Sequence, residues 1–200
     1  MLEYIVSLES ESIYSEKNSL FKALSVPALN IVDIKSIHNK LKNNYSDANH
    51  ICYAYRMKIN NRLDEFSTDG GEPKGSAGIP ILNTLKRKNL VNTVIFVMRY
   101  FGGTKLGISG LINAYGKASS MTIEKNILHP WILKSKLLIN YKYEIHNRVN
   151  YIFKEYKINI LKTEFKILIK AKIEVESSKV DIFINELFQI SNGDLEIQIL

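Results

Sequence analysis

The middle of the sequence reads Val94-Ile95-Phe96-Val97-Met98-Arg99-Tyr100-Phe101-Gly102-Gly103-Thr104-Lys105-Leu106-Gly107-Ile108-Ser109-Gly110-Leu111. Residues 94–98 are continuously apolar, which predicts a central strand that is buried on both faces. Residues 101–107, here termed the glycine loop, predict a backbone that adopts positive φ or is approached closely by another group. A predicted helix from about Ser109 to Glu124 completes the order strand, glycine turn, helix.

A second glycine-rich segment precedes the first, and nearly all of the chain's ten glycines fall within residues 66–117. Its centre, here termed the acidic loop, reads Asp69-Gly70-Gly71-Glu72-Pro73-Lys74-Gly75-Ser76-Ala77-Gly78. Asp69 and Glu72 can hold a metal ion or act as acid and base. The favoured interpretation is structural: Asp69 bonds its own turn and Glu72 caps the following helix. We expect the two loops to lie side by side, with Arg99 and Lys105 facing Glu72.

The order strand, glycine turn, helix points backbone N–H groups and the positive end of a helix at a bound anion. The glycine loop lacks the Gly-Lys-Ser/Thr ending of a Walker A loop and the spacing of a dinucleotide fingerprint. It therefore indicates general phosphate or nucleic-acid binding, with aromatic side chains that can stack on bases. The predicted binding residues are Arg99, Tyr100, Phe101, Gly102, Gly103, Lys105, Gly107 and Lys74. The predicted motif residues of the acidic loop are Asp69, Gly71, Glu72, Pro73, Gly75 and Gly78.

Two of these assignments have an alternative. Arg99, at the end of a buried strand, either contacts phosphate or pairs with Glu72 and holds the two loops together. His50 and Cys52 lie two residues apart on one face of a predicted strand. Neighbours on a strand face stand about 6–7 Å apart, so we do not expect His50 to deprotonate the thiol. We expect a buried thiol and keep His50 as a secondary site residue; no catalytic residue, metal ligand or cofactor is assigned.

Composition restricts the class of protein. The chain has 200 residues, 46% of them hydrophobic, and a net charge of +7. Sixteen of its 27 basic but 11 of its 20 acidic residues precede Pro130, so most of the positive excess lies with the glycine-rich half. Such a field favours polyanions such as RNA, although a general abundance of lysine explains it equally well. One cysteine, no signal sequence and no long apolar run predict a cytoplasmic protein without a membrane segment.

Glycine almost disappears after His129-Pro130-Trp131, which predicts a boundary between a domain of residues 1–130 and one of residues 134–200. The C-terminal domain shows alternating apolar residues from Phe165 to Val175, which predict one strand of eleven residues. The whole segment has the predicted order strand, helix, strand, strand, helix, strand, which is typical of a ferredoxin-like βαββαβ domain. The expected fold class is α+β.

Several motifs occur together in one order along the chain. They are Lys17-Asn18-Ser19-Leu20-Phe21, Ala48-Asn49-His50-Ile51-Cys52-Tyr53-Ala54-Tyr55-Arg56, the acidic loop, and the segment from Arg99 through Gly110-Leu111 to Ala114-Tyr115-Gly116. With these motifs the chain resembles the IMPACT family, which includes the bacterial YigZ-like proteins. It departs from the family pattern at Gly70, where a second acid is usual, and at Ser109, where glycine is usual. We expect Ser109 to serve as the N-cap of its helix.

The resemblance implies an Impact N-terminal domain similar to the second domain of a small-subunit ribosomal protein. It implies a C-terminal domain similar to a domain of elongation factor G. Eukaryotic relatives regulate translation initiation through an additional N-terminal domain, and bacterial relatives are expected to contact nucleic acid or the ribosome.

The leading interpretation is a non-enzymatic protein that binds RNA or the ribosome and acts in translation or its regulation. One alternative is a hydrolase-like enzyme for a phosphorylated or peptide substrate, with Glu72, Asp69 and His50 at its centre. Another is a protein–protein adaptor that docks partners on the exposed face of the Phe165–Val175 strand. The sequence does not indicate an oligomeric state.

Overall fold

The computed structural model describes residues 2–59 and 62–200, and the chain divides into two compact units, Met1–Trp131 and Ile132–Leu200. Each unit combines helices with antiparallel strands, so the predicted α+β class is confirmed. Five α-helices and eleven strands lie within the described ranges. None of these helices is long and apolar enough to cross a membrane.

The first unit contains ten elements in chain order. They are β1 (Tyr4–Val6), β2 (Ser10–Glu16), β3 (Ser19–Pro27), α1 (Ile31–Asn44), β4 (His50–Ile59), β5 (Arg62–Thr68), α2 (Gly78–Arg87), β6 (Thr93–Tyr100), α3 (Gly107–Glu124) and β7 (Leu128–Pro130). Strands β2 to β6 form one antiparallel sheet in the order β2-β3-β6-β4-β5, and β1 pairs with β7.

Strand β6 lies at the centre of this sheet and is buried on both faces, as its apolar sequence predicts. Val94, Phe96 and Met98 pack on the side of α1, while Ile95 and Val97 pack on the side of α2 and α3. The sheet therefore has helices on both faces and two separate apolar cores. The alternation of side chains along β6 also fixes the direction of Arg99, which continues the series of Ile95 and Val97.

The second unit has the order βαββαβ. Its elements are β8 (Lys134–Tyr141), α4 (His146–Glu155), β9 (Asn159–Phe165), β10 (Ile169–Glu176), α5 (Val180–Ser191) and β11 (Leu195–Ile199), with single 3₁₀ turns at Tyr143–Ile145 and Ser177–Lys179. The sheet order is β11-β8-β10-β9, and one apolar core joins the sheet to α4 and α5. Asn192 and Gly193 adopt positive φ at the end of α5, which satisfies the last carbonyl groups of the helix.

The prediction of a single strand from Phe165 to Val175 is wrong. The chain reverses at Lys166–Leu168, so that β9 and β10 form an antiparallel hairpin in which Phe165 pairs with Ile169. Ile167 lies at the tip and is 95% exposed. The alternation of apolar residues runs through the turn without interruption, and this concealed the reversal. The docking face proposed for an adaptor, along one long strand, therefore does not exist.

We predict that residues 1–131 and 132–200, produced as separate chains, each fold, because each retains a complete apolar core. Circular dichroism should record a cooperative thermal transition for both fragments. A fragment of residues 1–92, which lacks β6, is the control and should not fold. A gradual, non-cooperative melt of either complete unit would contradict the prediction.

Candidate functional site

The acidic loop and the glycine loop lie next to each other at one end of the sheet. The acidic loop connects β5 to α2, and the glycine loop connects β6 to α3. Between them is a groove of about 300 Å³. It is lined by Glu72, Pro73, Arg99, Phe101, Lys105, Leu106, Gly107, Ile108 and Leu111. The structure thus brings Arg99 and Lys105 towards the loop that carries Glu72.

A buried ion pair forms the back wall of the groove. The Arg99 Nη1 atom lies 2.6 Å from Glu72 Oε1, and the two side chains are 7% and 3% exposed. The Tyr115 hydroxyl of α3 donates to the same carboxylate oxygen at 2.9 Å. The Cys52 Sγ atom of β4 lies 3.3 Å from the Tyr115 hydroxyl. One carboxylate therefore joins the acidic loop to β6 and α3.

The structure shows Arg99 paired with Glu72, which was one of its two alternatives, and contact with phosphate stays a prediction. Its guanidinium lies between the rings of Phe21 and Phe101, about 5.6 Å from the centre of each. Its Nε atom is buried and has no hydrogen-bond partner within residues 2–59 and 62–200. Because its charge is already neutralised by Glu72, Arg99 acts first as a link between the loops and only forms part of the groove wall.

Asp69 bonds the backbone of its own turn, as expected, and it also caps the following helix, the role that was expected of Glu72. The Asp69 carboxylate accepts hydrogen bonds from the backbone N–H groups of Gly75, Ala77 and Gly78, at 2.8 to 3.0 Å. It therefore caps the start of α2, and the expectation that Glu72 caps this helix is wrong. Burial opposes the ionisation of Asp69, but the three hydrogen bonds outweigh it and hold the pKa of this carboxyl below its usual value.

The glycine loop lies against the β2–β3 turn and leads into an open helix end. A Cβ atom on Gly102 would lie 2.0 Å from the backbone carbon of Asn18, so only glycine fits there. Gly107 has a φ of +71° and begins α3. Among the described residues no side chain caps this helix, and Ser109 is its third residue, so the expectation that Ser109 is the N-cap is wrong. The first N–H groups of α3 are therefore available at the groove.

The remaining predicted residues divide into two groups. Phe101 and Lys105 stand at the mouth of the groove, where Phe101 is 47% exposed. Tyr100 points elsewhere, since its hydroxyl donates to Asp47, and Lys74 is exposed outside the groove lining. His50 has its Nδ1 atom 3.1 Å from the Gly70 carbonyl oxygen and lines a different depression.

Cys52 is fully buried in the core, and burial raises the pKa of its thiol to about 12. Burial also raises the pKa of the Tyr115 hydroxyl, which stays protonated as the donor to Glu72. Among residues 2–59 and 62–200, no three His, Cys, Asp or Glu side chains come together as they would to hold a metal ion. Sequence reasoning missed Tyr115, because its helical spacing indicates only an inward position and not its distant polar partner.

The model of the Impact N-terminal domain matches residues 17–123, which is more than half of the chain. The chain belongs to this family. The membership expected from the motifs is thereby confirmed. The IMPACT family member YvyE of Bacillus subtilis is 29% identical over 163 residues, which cover 80% of this chain and 73% of that protein. An IMPACT family member of Haemophilus influenzae is 28% identical over 203 residues, which cover 100% and 98% of the two chains.

A solved structure described as the crystal structure of an hypothetical protein is also similar to this chain. The TM-score is 0.72 at 20% identity, and the match covers 100% of this chain and 97% of the other. At this level of identity the likeness concerns the fold alone.

We predict that Arg99→Met and Glu72→Met each lower the free energy of unfolding by about 3 kcal/mol or more, because each leaves a buried charge without its partner. The double variant should lose less than the sum of the two, by about 1–3 kcal/mol. Denaturation with urea at pH 7 measures all three. Lys142→Met, which breaks the exposed pair with Asp194, is the control and should have little effect. Additive losses in the double variant would show that the two side chains are not coupled.

We predict that Asp69→Asn lowers the free energy of unfolding by about 1 kcal/mol at pH 7, because both carboxylate oxygens accept hydrogen bonds and an amide NH2 group cannot replace one of them. The folded pKa of Asp69 lies below its unfolded value. Its contribution is therefore present above the unfolded pKa of about 4 and is lost as pH falls through the folded value. Unfolding measured from pH 7 to pH 2 should show a shallower acid loss in the variant than in the wild type. Parallel curves would contradict this assignment.

Proposed function

We propose that the protein binds RNA without acting as an enzyme, and that it does so in translation or its regulation. The observation that supports this best is the half-exposed ring of Phe101 beside Lys105, at the mouth of the groove where α3 begins. A base can stack on the exposed ring, because every base offers a flat face to an aromatic side chain. The adjoining phosphate can then be held by Lys105 and by the free N–H groups of α3.

The charges of the first unit favour the same ligand. Lys105 forms no ion pair with any acid of the described residues, so its charge is available to a phosphate. The excess of basic over acidic residues before Pro130 supplies a positive field that attracts polyanions from a distance. Arg99 contributes less than the sequence suggested, because Glu72 already neutralises it.

We also propose that the first unit is similar to the second domain of a small-subunit ribosomal protein and the second unit to a domain of elongation factor G. The βαββαβ order and the sheet order β11-β8-β10-β9 support the second similarity. The two similarities together favour the ribosome as the partner of the protein, and hence a cytoplasmic location. This argument rests on an analogy of fold, which narrows the partner but supplies no mechanism.

The enzyme alternative has less support from the geometry. A general base needs a carboxylate or imidazole that reaches a substrate proton. The Asp69 carboxylate is occupied by three backbone N–H groups, and the Oε1 atom of Glu72 is occupied by Arg99 and Tyr115. His50 lines a separate depression. The three residues at the centre of that alternative therefore do not share one open cleft.

We expect Phe101→Ala to weaken binding of a fluorescent 12-nucleotide oligouridine about tenfold, since stacking of one base on an aromatic ring contributes about 1–3 kcal/mol. Lys105→Ala should weaken binding and reduce the slope of log affinity against log salt by about one unit. Fluorescence anisotropy at several salt concentrations measures both effects, and thermal melting verifies the folds.

The matched control is Lys40→Ala. Lys40 is exposed on α1, on the opposite face of the sheet, and its loss changes the net charge equally. Its salt slope should equal that of the wild type. If Lys105→Ala and Lys40→Ala bind the RNA alike, the glycine loop does not hold a phosphate and the proposed site is wrong.

A further inference from the structure

A second and larger groove runs between α2 and α3, and it shares no lining residue with the groove at the glycine loop. Its volume is about 740 Å³. It is lined by Pro80, Asn83, Lys86, Arg87, Ile112, Asn113, Gly116, Lys117, Ser120, Met121 and Glu124. On α3 the lining residues repeat every four positions along one helix face, from Ile112 to Glu124. This segment is about 18 Å long at 1.5 Å per residue. The groove thus follows one face of α3 for about three turns.

Gly116 lies in the middle of α3 and in the floor of this groove. A glycine in a helix interior costs about 1 kcal/mol relative to alanine. Packing restricts the other glycine within α3, since a Cβ atom on Gly110 would lie 3.0 Å from the Leu106 Cβ atom. At Gly116 a Cβ atom would meet nothing within 4 Å, and the φ is not positive. No contact of the described chain therefore requires glycine there, whereas a second backbone packed against α3 would.

The lining combines an apolar floor with positive charge. Pro80, Ile112 and Met121 supply apolar surface, and Ile112 is a half-exposed side chain on the outer face of its helix. Lys86 pairs with Glu65, but Arg87 and Lys117 have no carboxylate partner among the described residues. Glu124 is the single acid of the lining and stands at its end.

We propose that this groove docks an amphipathic helix of a partner protein, with an apolar ridge and acidic flanks. A helix of about 12 residues matches the 18 Å of the groove. Helices that pack closely have axes about 8–10 Å apart, and a glycine at the crossing point permits this approach. The ridge would cover Ile112 and Met121, and the acidic flanks would face Arg87 and Lys117. The lining includes no aromatic side chain on which a base could stack, so a helix fits it better than single-stranded RNA.

Gly116→Leu separates this role from a structural one. Leucine favours a helix more than glycine does, and its Cβ atom has open space, so the thermal midpoint should rise by about 2–4 °C. The same side chain fills the crossing point and should block a docked helix. A variant that is more stable and yet binds less is the outcome that a merely structural glycine does not give.

The binding probe is a display library of 16-residue helices that have a fixed apolar ridge and randomised flanks, selected on the full chain. We expect aspartate and glutamate to be enriched at the flanks. A selected peptide should bind Gly116→Leu and Lys117→Glu at least about tenfold more weakly, a loss of about 1.4 kcal/mol. Lys88→Glu removes a nearby positive charge outside the lining and should bind as the wild type does.

Three outcomes would overturn the proposal. They are selection without preference for acidic flanks, a selected peptide that binds Gly116→Leu as tightly as the wild type, and a fall in the thermal midpoint of Gly116→Leu.

A 12-base-pair RNA duplex serves as the competing ligand. If the duplex and not the peptide shifts the Gly116 amide resonance in NMR spectra, the groove is a nucleic-acid surface. Because the glycine loop is not part of this groove, RNA binding at the glycine loop is tested by the Phe101 and Lys105 variants alone.

Discussion

Arg99 and Glu72 carry opposite charges at a place in the first unit that bulk water hardly reaches. Removing two ions from water is costly, and their attraction offsets the cost only when the geometry is good and further hydrogen bonds are present. The Arg99–Glu72 contact is 2.6 Å and Tyr115 donates to the same oxygen, whereas the buried Arg99 Nε atom has no partner among the described residues. The pair constrains where the acidic loop, β6 and α3 stand relative to one another. Both residues of this contact also line the groove between the loops.

The glycines of the site follow from this constraint. The glycine loop leaves β6 after Tyr100, so that it begins two residues beyond Arg99, and must turn away without displacing the β2–β3 turn. At that contact only glycine fits at position 102. Gly107 then starts α3 at a positive φ, so that the helix can place Tyr115 over Glu72 two turns later. On the other side, Asp69 fixes the acidic loop from within by capping α2. A buried charge pair, a close backbone contact and a helix cap together determine the shape of the site.

The sequence predicted the parts that depend on local pattern and on the order of motifs. The apolar run of β6, the alternation along β4, the α+β class and the family can all be inferred from the sequence alone. The sequence correctly indicated that Asp69 bonds the backbone of its own turn. It could not assign Glu72, because only the tertiary structure brings Arg99 and Tyr115 to that carboxylate. The alternation of apolar residues also predicted one strand where the structure has β9 and β10, because the alternation continues unchanged through the turn at Lys166–Leu168. Strands β2 and β5 bury at most one residue each, and their sequences show little apolar periodicity.

The position of Cys52 has a practical consequence for chemical labelling. The thiol lies in the core with a pKa of about 12, and a thiol that is protonated and shielded from solvent does not react with maleimides near neutral pH. As the chain has no other cysteine, a cysteine introduced at an exposed position would be the one reactive thiol of the folded protein. Spin labels, fluorophores or photo-crosslinkers can then be attached at a chosen point of either groove. The native cysteine, with its contacts to Asp69 and Tyr115, can remain in place.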